Sequence, residues 1–389
     1  MAKTEPTPSP SNWPAFVGTK ESLIWIAVSI LLTVIGILKS INLLSLVAYL
    51  SFAFFIVNAI MAWRMVSKVA AVRTPPPPVF AGETAAIVGR VTNRSSARAV
   101  LLLRETSGPS LRSWFLPALP GGTSLPFTGP LDFPVRGRHL LPIVEAVSSY
   151  PFGIATWRRA VSHGQEAIVL PALGSVDLAG FRRWLNRMMA TGDNSRRVLR
   201  RLAPADGDVR GVRAYRDGDA PRDVHWKTSA RRNGLMVREY DRAAPQDMLI
   251  IVDAWVPTIP TDRISASKLE WALSLAVSVA NVWVKGDIHG KMTLLVGGTN
   301  WTSSSGLGTP AFIRTGFHAL ADAVGSPVIP AVPPELVRGA SRSIRLLVST
   351  RPRSPIQSAL AACGVLVAAV DPSLQPAWYT PPVERLSAE

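Results

Sequence analysis

Two apolar runs near the start of the chain constrain its fold more than any other feature: Leu23 to Leu38 (LIWIAVSILLTVIGIL) and Ile41 to Trp63 (INLLSLVAYLSFAFFIVNAIMAW). Lys39 is the only charge within or between them. Each run, with its flanks, approaches the roughly 20 residues that a helix needs to cross about 30 Å of hydrocarbon. The link Lys39-Ser40-Ile41-Asn42 is so short that the helices must be antiparallel, which puts both ends of the hairpin on one side. No small-residue cleavage site follows the first run, and this argues against a removed signal peptide. Lys20 precedes the pair while Arg64, Lys68 and Arg73 follow it. That basic bias places both termini and the soluble parts in the cytoplasm. Residues 21–66 are therefore expected to be a two-helix transmembrane hairpin, the alternative being a hairpin buried in a globular core.

The rest of the 389 residues can hold two soluble domains of about 100 to 200 residues each. Residues 1–20, rich in Pro, Ser and Thr and without periodicity, are expected to be a disordered tail. Pro75 to Pro78 read as a stiff spacer holding the next domain off the bilayer. Strand-like segments at 85–91, 99–103, 140–147 and 153–157, bounded by Pro, Gly, Asn and Ser, suggest a small β-sandwich over residues 67–165. Tyr150-Pro151-Phe152-Gly153 is expected to be a turn whose phenylalanine plugs that sandwich.

From Met248 the pattern changes to α/β, and residues 248–389 are expected to form one domain. Strands at 249–252, 292–296, 344–349 and 365–370 alternate with helices at 265–285, 310–324 and 355–362, a pattern that predicts a mainly parallel sheet covered on both faces. Ligands of such sheets collect at the carboxyl ends of the strands, where Asp253 and Trp255 stand. The single cysteine, Cys363, lies in an apolar stretch and is expected to be a small buried thiol.

Residues 166–247 read as a basic linker followed by a dense polar segment. Arg182, Arg183, Arg187, Arg196, Arg197, Arg200 and Arg201 fit one face of an exposed helix, facing water, anionic lipid or an acidic partner. Beyond them, Asp217-Gly218-Asp219 makes a turn. Asp219 is placed to cap a helix from about Ala220 to Arg232, with Pro221 in its first turn and Asn233-Gly234 at its end. Arg222 and Trp226 would share a face of that helix, with Arg222 stacked on Trp226 and paired with Asp217 or Asp219. A strand entering the next domain follows from Leu235. Such a knot serves either as a structural clasp or as an exposed docking surface.

The spacing Arg213-x-Tyr215, Gly218-Asp219, Arg222, Trp226 and Ala230-Arg231 resembles the signature of a bacterial family catalogued as domain of unknown function 58. Its members are membrane-anchored proteins with a von Willebrand factor A-like domain, and the order of segments here is similar. The resemblance implies a fold of membrane α-helical hairpin, small β-sandwich and α/β von Willebrand factor A-like (Rossmann-like) domain. It also implies a MoxR-type AAA+ ATPase as partner, in envelope or protein-complex maturation. Metal-binding von Willebrand factor A domains carry Asp-x-Ser-x-Ser at the position of Asp253-Ala254-Trp255-Val256-Pro257. Both hydroxyls are replaced, so neither metal nor other cofactor is expected and Asp253 reads as vestigial. The interaction residues implied are Arg213, Tyr215, Asp219, Arg222, Trp226 and Arg231, with Asp253 and Trp255 as a second patch.

Several chemistries lack their motifs. G-x-x-x-x-G-K-[ST], G-x-S-x-G, H-E-x-x-H and C-x-x-C do not occur. Gly306-Leu307-Gly308-Thr309-Pro310-Ala311 has a G-x-G-x-x-A spacing without an expected strand before it and reads as a loop. His225 near Asp223 or Asp219 is the one arrangement an unrecognised hydrolase could use. The net charge of +16 suits phosphate, anionic lipid or acidic protein. Against nucleic acid, the basic residues alternate with Asp206, Asp208, Asp217, Asp219, Asp223, Glu239 and Asp241. The leading expectation is a non-catalytic membrane-anchored scaffold or adaptor. An anionic-lipid or nucleic-acid binder and an unrecognised hydrolase are the alternatives.

Overall fold

The computed structural model describes residues 13–107, 110–189, 209–216, 219–240, 247–257, 263–285, 290–331, 343–363, 365 and 367–382. In chain order the first elements are β1 (Ala15–Val17), α1 (Lys20–Leu38), α2 (Asn42–Ser67), β2 (Val69–Thr74), β3 (Val79–Phe80), β4 (Thr84–Asn93), β5 (Ala99–Ser107) and β6 (Ser110–Leu119). Then come β7 (Ser124–Asp132), β8 (Gly137–Leu140), β9 (Val144–Ser148), β10 (Thr156–Ala160), β11 (Glu166–Leu170), β12 (Ser175–Val176), α3 (Leu178–Met189) and β13 (Val209–Ala214). They are followed by α4 (Trp226–Arg232), β14 (Met236–Tyr240), β15 (Met248–Asp253), α5 (Arg263–Lys285), β16 (Lys291–Gly297) and β17 (Trp301–Leu307). The last are α6 (Pro310–Gly316), α7 (His318–Ala321), β18 (Ile344–Ser349), α8 (Pro355–Ala362), β19 (Ala368–Val370) and β20 (Tyr379–Thr380). The chain divides into two compact units.

The first unit comprises Met1–Pro77, Thr84–Asp132 and Arg138–Ala167. Its hairpin helices α1 and α2 are long and apolar enough to cross a membrane, and most of their surface is exposed. Thr19 caps α1 by accepting the Ser22 N–H at 3.2 Å. Gly36 lets the helices meet, since a Cβ there would lie 2.6 Å from Ser45 Oγ. Two antiparallel sheets, β1-β10-β9-β5-β6 and β2-β4-β7, form the sandwich. Strict alternation along β4 buries Ala85, Ile87 and Val91, and Val91 joins a core with Leu101, Leu103, Leu119, Phe127 and Val144. That core also holds a buried ion pair: Arg73 Nη2 lies 2.6 Å from Glu105, with both side chains no more than 2% exposed. Burial pulls the Arg73 pKa down while Glu105 opposes the shift.

The hairpin bonds directly to the sandwich through the β9–β10 turn. Asn58, fully buried on α2, donates from Nδ2 to the Ser149 carbonyl at 3.2 Å and accepts the Ala155 N–H on Oδ1 at 2.6 Å. Ser22 of α1 donates to the Ile154 carbonyl at 2.6 Å. Arg159 donates to the carbonyls of Val66 and Ser67 at the end of α2. Phe16 packs edge-on against Phe55 and Trp157.

Three expectations are corrected here. Pro75 to Pro78 do not hold the sandwich off the hairpin, because Val69 and Ala71, only just past α2, already belong to the sandwich core. Phe152 does not plug the sandwich: it is 52% exposed and meets Phe54 of α2 edge-on at 5.5 Å. The tail expected to lack structure over residues 1–20 contributes β1, which pairs with β10, and the start of α1; residues 1–12 lie outside the described residues.

The second unit comprises Pro78–Glu83, Phe133–Gly137 and Ile168–Glu389. Its sheet has the order β17-β16-β15-β18-β19, parallel except for the edge strand β17. The run Met-Leu-Ile-Ile-Val makes β15 the central strand, because all six of its residues are buried and both faces must be covered. Helix α5 supplies Leu273, Ala276, Ala280 and Trp283 to one face. Helix α3 carries part of the expected basic face, yet it inserts Phe181 and Leu185 into the same core, with Phe181 edge-on to Trp378 at 4.8 Å. Arg182 lies over the Trp283 ring at 5.8 Å, and Arg183 is exposed. Arg196, Arg197, Arg200 and Arg201 lie outside the described residues.

Here too the structure departs from the sequence reading. The helix expected over 310–324 breaks at Phe317 into α6 and α7. A strand, β17, does precede Gly308, but it is an antiparallel edge strand and Gly306 serves packing. A Cβ at Gly306 would lie 2.5 Å from the Phe312 ring. Cys363 is exposed at the end of α8 instead of buried.

Replacing Asn58 by Ala leaves the Ala155 N–H and the Ser149 carbonyl unpaired. The expected cost is roughly 2 kcal/mol of unfolding free energy for the full-length chain in detergent. An unchanged unfolding midpoint would show that these bonds do not hold the hairpin to the sandwich.

Candidate functional site

The polar segment folds on itself. Strands β13 and β14 pair antiparallel, with Arg213 opposite Val237 and Ala214 opposite Met236. Arg213 clamps the turn between them, its two Nη atoms each 2.7 Å from one carboxylate oxygen of Asp219. The Arg216 N–H adds a third donor at 2.9 Å. Together the Arg213 guanidinium and that N–H hold the Asp219 carboxyl down at about 2, below its ordinary 3.8.

Asp219 therefore does not cap the following helix, and there is no single helix from Ala220 to Arg232. A short 3-10 turn, Pro221–Asp223, is followed by extended Val224, which bridges to Val237. Only then does α4 begin. His225 caps it, Nδ1 accepting the Thr228 N–H at 3.2 Å, while its own N–H donates to the Met236 carbonyl at 2.8 Å. The buried Ser229 accepts the Met236 N–H at 2.9 Å, and left-handed Asn233 ends the helix. Arg222 and Trp226 thus do not share a helix face. The Arg222 side chain and Asp217 lie outside the described residues.

Several large side chains of the segment stay exposed. Trp226, the first residue of α4, is 66% exposed, and Tyr215, Leu235 and Arg231 are also exposed. An aromatic side chain buries about 150–250 Å² when covered, so the exposure of Trp226 is informative.

The second expected patch lies at the carboxyl edge of the sheet. Asp253 ends β15, in register with Gly297 of β16 and Ser349 of β18. It is completely buried. Its Oδ2 accepts Ser354 Oγ at 2.5 Å, Ser349 Oγ at 3.0 Å and Arg351 Nε at 3.3 Å. Ser354 in turn caps α8 by accepting the Ile356 N–H at 3.2 Å. Arg351 lies over the Trp255 ring at 4.8 Å, and Trp255 donates from Nε1 to the Pro327 carbonyl at 2.9 Å. Thr350 Oγ1 donates to the Trp255 carbonyl. Sequence reasoning placed Asp253 and Trp255 here but missed Ser349, Arg351 and Ser354. They meet Asp253 only through the parallel register of β15 and β18 and the loop that follows, which no local spacing discloses.

Apart from Asp253 Oδ1, which is buried without a hydrogen-bond partner among the described residues, these side chains offer a divalent cation little. The two serine hydroxyls are spent as donors to Oδ2, a guanidinium already supplies the positive charge, and Trp255 and Pro257 offer no side-chain oxygen. Among the described residues no cluster of three His, Cys, Asp or Glu could hold a metal ion. Replacing Arg351 by Met strands the Asp253 charge and is expected to lower stability by roughly 2 kcal/mol. Adding Asp253→Asn should cost less than the sum of the single changes, and EDTA should leave the melting temperature where it was. A fall in melting temperature with EDTA would contradict this assignment.

Residues 211–302 match the model of a family described as Protein of unknown function DUF58. No match is found among curated proteins. The matched span runs from within β13 into β17, taking in the Arg213–Asp219 clamp, exposed Trp226 and the Asp253–Trp255 edge. Over that span the chain carries a DUF58-like domain.

Proposed function

We propose that this chain is a membrane-anchored, non-catalytic scaffold or adaptor that docks a protein partner on the exposed face around Trp226. The carrying observation is that exposure. Arg213 with Asp219, His225 and Ser229 make hydrogen bonds within the segment, yet an indole is left uncovered. A clasp between domains would bury its tryptophan, whereas a docking surface presents it. Arg231, Tyr215 and Leu235 supply the mixed charged, aromatic and apolar character common at interface centres.

The hairpin α1–α2 supports the anchoring part of this reading, because its exposed Leu, Ile, Val and Phe side chains would be costly in water and are suited to lipid. The basic residues flanking it favour both ends in the cytoplasm. The partner fitting this architecture is a MoxR-type AAA+ ATPase, acting in envelope or protein-complex maturation. That choice rests on the resemblance of residues 213–231 and of the segment order.

Full-length tagged chain, cross-linked mildly in native membranes and purified beside a folded Trp226→Ala variant, tests the proposal. Wild type is expected to recover an AAA+ ATPase, and the variant at least tenfold less, in keeping with loss of an interface tryptophan. Equal recovery by both forms would move the docking surface elsewhere. Recovery of no ATPase by wild type would sink the partner assignment.

A further inference from the structure

The five-stranded sheet of the first unit turns an amphipathic groove of about 660 Å³ away from the sandwich core. Alternation along β5 sends Leu101 and Leu103 inward and leaves Val100, Leu102 and Arg104 on the other face. Strand register then builds one outward row across four strands: Arg158 opposite Val147, Val147 opposite Leu102, and Leu102 opposite Phe115. One step nearer the β9–β10 turn the lining is apolar and small, with Val17 opposite Thr156. Two residues beyond Leu102, about 7 Å further from that turn, stands Arg104. Its Nε is buried without a hydrogen-bond partner among the described residues. No acidic side chain lines the groove. It is therefore apolar at the turn end, while the other end carries Arg104 and Arg158 with Glu145 beside Arg104 just outside the lining.

If the hairpin spans a bilayer, the turn end lies at membrane depth. Ser22 and Asn58 grip residues 149–155, and each is sixteen positions (38 minus 22, 58 minus 42) from the hairpin end of its helix. At 1.5 Å per residue that is about 24 Å, near the edge of a hydrocarbon layer of about 30 Å. Exposed Tyr150 and Phe152 flank the groove mouth there, where aromatic side chains favour the lipid–water boundary.

We infer that the groove binds an anionic phospholipid of the surrounding bilayer, an acyl chain along Val17, Leu102 and Val147 and the phosphate on Arg104 and Arg158. The inference rests on the membrane-hairpin reading above. The polarity of the groove matches that of a lipid lifted from the adjoining leaflet: chain end toward the membrane, charged end away from it. Continuity with the apolar hairpin favours a lipid over a soluble anion; of the two arginines, Arg104 faces Glu145 across the strand pair while Arg158 faces Val147.

The test is photolabelling of the full-length chain in nanodiscs with phosphatidylglycerol or phosphatidylcholine bearing a diazirine acyl chain, followed by peptide mapping. Phosphatidylglycerol is expected to label peptides covering 98–104 and 147–158 as well as α1 and α2. Arg104→Gln with Arg158→Gln should cut groove labelling roughly tenfold and leave labelling of α1 and α2 unchanged, which also reports an intact hairpin. Labelled helices with an unlabelled groove would overturn the lipid site alone. Unlabelled helices would overturn the hairpin reading, and the lipid site with it. Equal groove labelling by phosphatidylcholine, or no effect of the double variant, would overturn anionic recognition. Labelling that rises only after removal of residues 1–12 would assign the groove to the chain's own tail and overturn the lipid.

Discussion

An asparagine in the middle of an apolar helix must find partners, because an unpaired amide away from water costs several kcal/mol. Asn58 finds them in the backbone of the β9–β10 turn, and the organisation of the first unit depends on that bond pair. Ser22 repeats the contact from α1. The hairpin and the sandwich are consequently one packed body: β2 leaves α2 almost without a break, and Val66 of the helix sits in the sandwich core. The same contact sets the turn, and with it the groove on the outer sheet face, at a defined distance from the hairpin's far end.

The second unit is organised around two carboxylates treated in contrasting ways. Asp253 is fully buried, and three donors from the chain's own serines and arginine converge on its Oδ2. This ties β15, the end of β18 and the cap of α8 at one point. Asp219 remains near the surface, where a bidentate arginine stiffens the turn without burying it. If Trp226 docks a partner as proposed, its preorganisation would reduce the freedom lost on binding.

Much of the fold was legible in the sequence because its patterns were unambiguous. Uninterrupted apolar runs marked α1 and α2, strand composition bounded by turn residues marked β4 and β5, and a solid apolar run marked β15. What escaped was decided by long-range contacts. The helix expected after Asp219 shortened because Arg213, six residues earlier, took the carboxylate and left capping to His225. Phe152 turned toward Phe54 instead of the sandwich, a contact that crosses nearly a hundred residues. Strand β17 reads as Trp-Thr-Ser-Ser-Ser-Gly-Leu, too polar to mark itself, and exists by pairing with β16. Of the site, Trp226 and Asp253 could be named from local spacing. Arg351 could not, since it meets Asp253 only through the parallel register of β15 and β18.

The claim on which the rest stands is that α1 and α2 cross a bilayer as a hairpin with the remaining chain on one side. The native Cys363 is exposed, and Ser40 sits at the hairpin turn with a positive φ of 51°. A membrane-impermeant maleimide applied to intact spheroplasts, with wild type beside a Cys363→Ser, Ser40→Cys variant, tests it directly. The account requires that the cysteine at position 40 react in intact spheroplasts and that Cys363 react only after lysis. Reaction of Cys363 in intact spheroplasts, or protection of position 40 until lysis, would contradict it.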